Sequence, residues 1–190
     1  MTGRGVYIRV ALATVATTAL LLTFWWPSSS ARRRVPSDAE MTAKIGGQSV
    51  VHCIRNAKTA TVQRVRQVRH FVTGHEDPRT LYERDGAAQE LAEDDVKRLA
   101  SLLTTPKSYD IYDPTVRGLR ACIPYYGVYV SFISGNEQCD VWLTLFCTDA
   151  MFALGDRYKG SADFSPGEAE VMKVIQHLFP DDQEIQEWKP

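Results

Sequence analysis

Cysteine and histidine are the residue types of this 190-residue chain best suited to bind a metal or to perform thiol chemistry. The cysteines are Cys53, Cys122, Cys139 and Cys147, and the histidines are His52, His70, His75 and His177. None of them belongs to an HExxH motif or a paired CxxC, the spacings that identify zinc sites. We therefore expect no metal site and no cofactor.

Other catalytic residue types are present without the local motif that would activate them. The chain has no G-x-S-x-G turn to expose a serine nucleophile and no glycine-rich phosphate loop. The adjacent carboxylates at 94–95 and 181–182 do not indicate a catalytic pair, because neighbouring side chains point apart. We assign no catalytic residue, and whether the protein is an enzyme stays uncertain, with a non-enzyme favoured.

Charge is distributed unevenly along the chain. Residues 1–36 contain five arginines and no acid, so residues 37–190 hold 17 of the 22 Lys and Arg and all 23 Asp and Glu. The net charge of that part is −6. Because phosphate binding needs clustered Lys and Arg, nucleic acid is not an expected partner.

Three of the cysteines lie in a predicted β-hairpin, which reads CIPYYGVYVSFISGNEQCDVWLTLFC from Cys122 to Cys147. Gly135-Asn136 is a two-residue turn whose positive φ angles match strand twist, so Ser134 faces Glu137. In that register one face is wholly apolar or cysteine and is the predicted core face. Its members are Tyr126, Val128, Val130, Phe132, Cys139, Val141, Leu143 and Leu145.

The opposite face of the hairpin mixes polar and aromatic residues and is expected to be half covered. Its large aromatic residues, Tyr129, Trp142 and Phe146, are the candidate surface for a protein partner. The alternative is that N-terminal strands or a loop cover them.

Cys122 and Cys147 are the candidate disulfide. The register places Cys147 opposite Pro124, so the two cysteines are diagonal neighbours, about 7–8 Å apart. A disulfide needs Cα atoms about 4.4–6.8 Å apart, a gap that the strand distortion at Pro124 could close. Alternatives are small buried hydrophobes or a metal site. A second bridge, between Cys53 and Cys139, is a weaker hypothesis that places both on strands.

An uncharged apolar stretch, Val10–Trp26, precedes the domain and follows Arg4 and Arg9. It is either a signal peptide cleaved near Ala31 or a membrane anchor ended by a tryptophan pair. Both interpretations put the domain outside the cytoplasm. We predict a signal peptide or anchor at 1–31, a linker at 32–47 and one domain at 48–190.

Helices are predicted over Ala92–Thr104 and from Ser165 to Phe179. The first has apolar residues at helical spacing, and the second has Ser165 as N-cap, Pro166 next and Glu168 third. Strands are predicted at Val50–Arg55, Thr59–Val72, Thr80–Glu83, the hairpin, Met151–Leu154 and Arg157–Lys159. The fold is predicted to be α+β: an antiparallel sheet of four to six strands with two helices on one face, after an N-terminal hydrophobic helix.

The order of these segments resembles a group of uncharacterised bacterial exported proteins. The matching motifs are LLTTPKSY at a helix end, CIPYYGV, the hairpin, a strand ending FC, DFSP and LFPDDQEI. The group often has Cys-Phe-x-Cys at the second hairpin strand, whereas this chain keeps only Cys147. The resemblance implies export and a similar fold, and it adds no activity.

We therefore expect a membrane-anchored or exported envelope protein that is a non-catalytic binding or structural module. Its N-terminal segment would contact the membrane, and an envelope protein is the expected partner. The alternative is a small extracytoplasmic hydrolase or thiol redox protein that uses Cys122 or Cys147.

Overall fold

The computed structural model describes residues 34–68, 78–110, 126–144 and 148–188. The helices in these ranges are α1 (Asp38–Lys44), α2 (Gln48–Arg55), α3 (Pro78–Leu81), α4 (Glu93–Leu103), α5 (Glu168–Leu178) and α6 (Gln183–Gln186). The strands are β1 (Thr59–Gln67), β2 (Tyr82–Glu90), β3 (Tyr126–Ser134), β4 (Glu137–Thr144), β5 (Asp149–Leu154) and β6 (Arg157–Asp163). The predicted α+β fold is confirmed.

All six strands form one sheet, in the order β2-β1-β3-β4-β5-β6, and every neighbouring pair is antiparallel. This number lies within the four to six strands that the sequence predicts. The predicted helices, α4 and α5, contribute to one large apolar core on one side of the sheet, together with α1, α2 and α6. We call this side the helix-covered face and the other side the second face.

The central hairpin has the register that the sequence predicts. Ser134 pairs with Glu137 and Gly127 with Thr144, with every intermediate pair in step. Gly135 in the turn has φ of 60°, a conformation that favours glycine. The described residues of the predicted core face are completely buried on the helix-covered face: Val128, Val130, Phe132, Cys139, Val141 and Leu143.

The prediction of a strand at Val50–Arg55 is wrong, because these residues belong to α2. The segment is rich in β-branched residues, which favour strands. Its buried residues are Val50, Val51, Cys53 and Ile54, a spacing that makes one face of a helix. Packing of that face against the sheet outweighs the local strand preference.

The linker predicted at 32–47 is also wrong where α1 forms. Ser37 and Glu40 make a capping box, in which each side chain bonds the other residue's backbone N–H. Met41 and Ile45 are buried in the core. Gly160 on β6 permits this packing, since a Cβ there would collide with the carbonyl oxygen of Lys44. The packed domain therefore begins with α1 and not near Gln48.

Strand β2 is longer than the short strand predicted at Thr80–Glu83. It is an edge strand of the sheet and is exposed along its length after Tyr82. Its pairing with β1 is interrupted: Val62 pairs with Gln89 and Arg64 with Asp85, so residues 86–88 form a bulge.

The predicted closing helix is present, but α5 begins at Glu168 and not at Pro166, and its N-cap is not Ser165. Residues Ser165–Gly167 form a 3₁₀ turn that leads into α5. The residue that caps α5 is Gly167, which has no side chain to do so, and the backbone N–H and hydroxyl of Ser165 both bond the Asp163 carboxylate. Pro166 and the acidic Glu168 favour the start of a helix without that cap.

Among the described residues, no helix combines the length and the hydrophobicity needed to cross a bilayer. The predicted signal peptide or anchor, Val10–Trp26, lies outside them.

Candidate functional site

The proposed aromatic partner surface is largely buried where the structure describes it. The exposed fractions of Tyr129 and Trp142 are 3% and 4%. Their rings lie on the second face, with centroids 5.2 Å apart. They pack in a second apolar cluster with Val65, Leu81, Tyr82, Met151 and Ala153. The two side chains therefore offer little contact area to a partner, and Phe146 lies outside the described residues.

A buried carboxylate organises the polar part of the second face. Asp140 is 6% exposed, and one of its oxygens, Oδ1, accepts three hydrogen bonds. The donors are the Tyr129 hydroxyl at 2.8 Å, the Ser131 hydroxyl at 2.8 Å and the Gln138 amide at 2.9 Å. These bonds compensate the cost of removing a carboxylate from water.

Arg84 extends this network to the surface. Its guanidinium lies 4.4 Å from the centroid of the Tyr129 ring and donates to the Tyr129 hydroxyl at 3.0 Å. The hydroxyl thus accepts from a cation and donates to an anion. Burial raises the pKa of the Tyr129 phenol, so the hydroxyl keeps its proton at neutral pH. The arrangement connects three strands and lacks an activated nucleophile.

The predicted register already brings Ser131 opposite Asp140, with Tyr129 diagonal to it. The contribution of Arg84 could not be predicted, because β2 was not expected to extend along β1.

Of the four cysteines, the structure describes Cys53 and Cys139. Cys122 and Cys147, the candidate disulfide, lie outside the described residues. Cys53 is on α2 and not on the predicted strand, while Cys139 is on β4 as predicted. Both are free thiols with no exposed surface. Burial is the main cause that raises the pKa of each thiol. Neither has the exposure or the lowered pKa of a reactive cysteine.

Metal ligands are not grouped in the described part of the chain, where no cluster of three or more His, Cys, Asp or Glu could hold an ion. His52 is exposed on α2, and its ring nitrogen Nδ1 lies 3.2 Å from the Asn56 amide. His52 and Cys53 therefore point to different sides of a helix, not of a strand.

An open groove lies between the end of α2 and the length of α4. It consists of two adjoining cavities, of about 540 Å³ and about 450 Å³, that share four lining residues: Arg55, Ala57, Val96 and Lys97. The first cavity adds Asn56, Lys58, Leu91 and Glu93, and the second adds Ala100, Ser101, Thr104 and Thr105. We call this the basic groove, because its exposed charged residues are three cations and one acid.

Bonds to α4 hold two of the groove's cations, Arg55 and Lys97, in position. Arg55, at the last turn of α2, donates to the Thr104 hydroxyl at 3.1 Å and to the Thr104 carbonyl at 2.7 Å. It thereby binds a carbonyl at the end of α4 that has no partner within the helix. Lys97 pairs with Glu93 one turn earlier, at 2.6 Å. A hydrogen bond from Lys97 and its charge lower the pKa of Glu93.

The groove's apolar floor was predictable in part. Val96 and Ala100 belong to the apolar face expected for the helix at Ala92–Thr104, and both are buried. The opposite wall was not predictable, because Arg55 was assigned to a strand. Its position at the end of α2 brings it to α4.

Comparison with known proteins yields no relative from which a role could be transferred. No protein-family model matches the sequence, no curated protein is significantly similar to it, and no solved structure matches the fold. The described residues form an α+β domain with a six-stranded antiparallel sheet and helices on one face.

Proposed function

We propose that this chain is a non-catalytic binding module of the cell envelope, anchored or exported by residues 1–31, and that its partner protein binds in the basic groove. The observation that carries this proposal is a groove with cations at its rim on a domain whose overall charge is negative. A local charge that opposes the rest of a surface steers a complementary partner and excludes others.

The geometry of the groove supports binding in preference to catalysis. Arg55 is held by two hydrogen bonds, so a partner would not have to immobilise it. Among the residues that the structure describes, the groove lining includes no cysteine, no histidine and only one carboxylate, Glu93. A single carboxylate paired with a lysine does not make an acid–base pair.

Site-specific photo-crosslinking in the native host tests the proposal. The photoreactive residue p-benzoyl-phenylalanine would replace Lys97 in the full chain and, in a second variant, Lys58. The matched control is Lys173, which is on α5, 62% exposed and paired with Glu170, as Lys97 is 66% exposed and paired with Glu93. We expect one common crosslinked protein from both groove positions and none from position 173.

The crosslinked protein would then be purified and its affinity measured. Lys97→Glu should weaken binding, whereas Lys173→Glu, which removes an equivalent surface pair, should not. The absence of a crosslink at both groove positions, or the same crosslink at position 173, contradicts the proposal.

Location outside the cytoplasm is tested separately. Mass spectrometry of the mature protein distinguishes cleavage, with an N-terminus at Arg32, from an uncleaved anchor. A protein recovered only from the cytoplasm would contradict both forms of the proposal.

A further inference from the structure

We infer that the segment of the partner that occupies the basic groove is a short acidic peptide, with two or three Asp or Glu residues flanked by residues that are not acidic. This inference rests on the function proposed above and specifies the chemistry of the partner.

The cations of the groove have capacity to bind carboxylates. Arg55 uses two of its N–H groups on Thr104, which leaves three of a guanidinium's five donors for another acceptor. Carboxylates accept from such donors in bidentate geometry. Lys58 and Lys97 are exposed on either side of the same groove. Glu93 neutralises one of the three positive charges and the charge of Asp94 also acts on Lys97, so the groove keeps an excess of at most two positive charges.

The acidic stretch of the peptide must be short because the excess of positive charge is confined to the groove. Residues 37–190 carry a net charge of −6, so a uniformly charged polyanion would be repelled wherever it left the groove. The same argument disfavours nucleic acid and an anionic lipid surface. A peptide whose acidic residues lie in one short block can pair with the cations of the groove, and the rest of the peptide is not repelled by the surrounding surface.

The dimensions of the groove limit the length of the block. The lining extends from Glu93, at the start of α4, to Thr104 and Thr105, which follow the last residue of the helix. Ten helical steps of about 1.5 Å make α4 about 15 Å long, so with the two residues that follow the groove spans about five or six residues of extended peptide.

The two ends of the groove differ. Glu93 at one end disfavours an acid there, and the hydroxyls of Ser101 and Thr105 at the other end favour a polar residue. The acidic residues should therefore bind at the centre, between Lys97 and Arg55.

Selection from a random peptide library displayed on phage tests this inference without assuming a sequence. The target is the full chain in detergent, and each recovered peptide is then measured on the double variant Lys58→Glu/Lys97→Glu. Recovered peptides should contain two or three Asp or Glu within six residues. Their affinity should fall at least about tenfold in the double variant, fall with added salt, and be unchanged in Lys173→Glu.

Peptides without acidic enrichment, or peptides that bind the double variant equally well, overturn the inference. Stronger binding of poly-glutamate, polyphosphate or phosphatidylglycerol vesicles than of the selected peptides also overturns it. Thermal unfolding of the double variant, followed by circular dichroism, checks that both substitutions leave the fold intact. A groove crosslink to a non-acidic segment refutes this inference alone, whereas the absence of any groove crosslink refutes the proposed function.

Discussion

The two faces of the sheet are buried by different means. The helix-covered face presents Val128, Phe132 and Leu143 to a core built from five helices, and these side chains need no hydrogen bonds. The second face buries Asp140 beside Tyr129 and Trp142. Beside its apolar cluster, this face contains a carboxylate that needs hydrogen-bond donors. The comparison indicates that the first face should be sensitive to lost volume and the second to lost hydrogen bonds.

The largest expected effect concerns the thiols of the helix-covered face. Cys53 and Cys139 should react with iodoacetamide at pH 8 about a thousandfold or more slowly in the folded protein than in urea. They are inaccessible, and burial raises their pKa values and so suppresses the thiolate. Peptide mapping by mass spectrometry resolves each cysteine. Rates within tenfold of the unfolded protein would show that this core opens readily.

The same map tests the predicted bridge. Cys122 and Cys147 should be unreactive before reduction in protein taken from outside the cytoplasm. Rapid alkylation of both in the folded state contradicts the disulfide.

Loss of volume on the helix-covered face should have the next largest effect. Phe132→Ala should lower the free energy of unfolding by about 3–5 kcal/mol, because the ring is completely buried and leaves a cavity. Urea denaturation measures the change. The neighbouring Ile133 is 41% exposed and points to the opposite face, so Ile133→Ala is the control and should cost less than about 1 kcal/mol. Equal losses would remove the distinction between the two faces.

On the second face, Asp140→Ala should destabilise the protein by about 2–3 kcal/mol, because it leaves buried hydroxyl donors without their acceptor. Gln138→Ala is the control: it removes one donor that is exposed, and should cost less than about 1 kcal/mol. Urea denaturation of both variants measures the two losses in the free energy of unfolding. A loss for Asp140→Ala no greater than that for Gln138→Ala would show that the network contributes little to stability.

Arg84→Gln should have the smallest effect, a loss of about 0.5–1 kcal/mol, since the cation over the Tyr129 ring is exposed to solvent. Arg66→Gln is its control, because Arg66 makes only an exposed pair with Glu83 among the contacts described. Such pairs contribute about 0–1 kcal/mol, so the stability lost in Arg66→Gln should be equal to or smaller than the stability lost in Arg84→Gln. A larger loss for Arg66→Gln than for Arg84→Gln would mean that Arg84 adds no stability to the network around Tyr129.

The hairpin and the groove differ in how far the sequence could predict them. The hairpin's register follows from local information: the Gly135-Asn136 turn and an alternation that one residue of slip would destroy. By contrast, the groove is made by contacts distant in sequence, and Arg55 and Thr104 are 49 residues apart.

Two errors have separate physical causes. The segment Val50–Arg55 is too short to show a helical period, so its β-branched content favoured the wrong structure. Helix α1 could have been predicted, because Ser37 and Glu40 have the spacing of a capping box. The serine, proline and arginine residues that precede it favoured a linker instead.

The bulge in β2 has a consequence for self-association. Exposed edge strands are templates for aggregation, since a second chain can extend the sheet by pairing with their free N–H and C=O groups. Residues 86–88 interrupt that row, with Gly86 at φ of 78°, and the charges of Glu83 and Asp85 lie beside the interruption. An incoming strand would lose its register after four residues. The bulge thus limits growth of the sheet at this edge and disfavours aggregation by strand addition there.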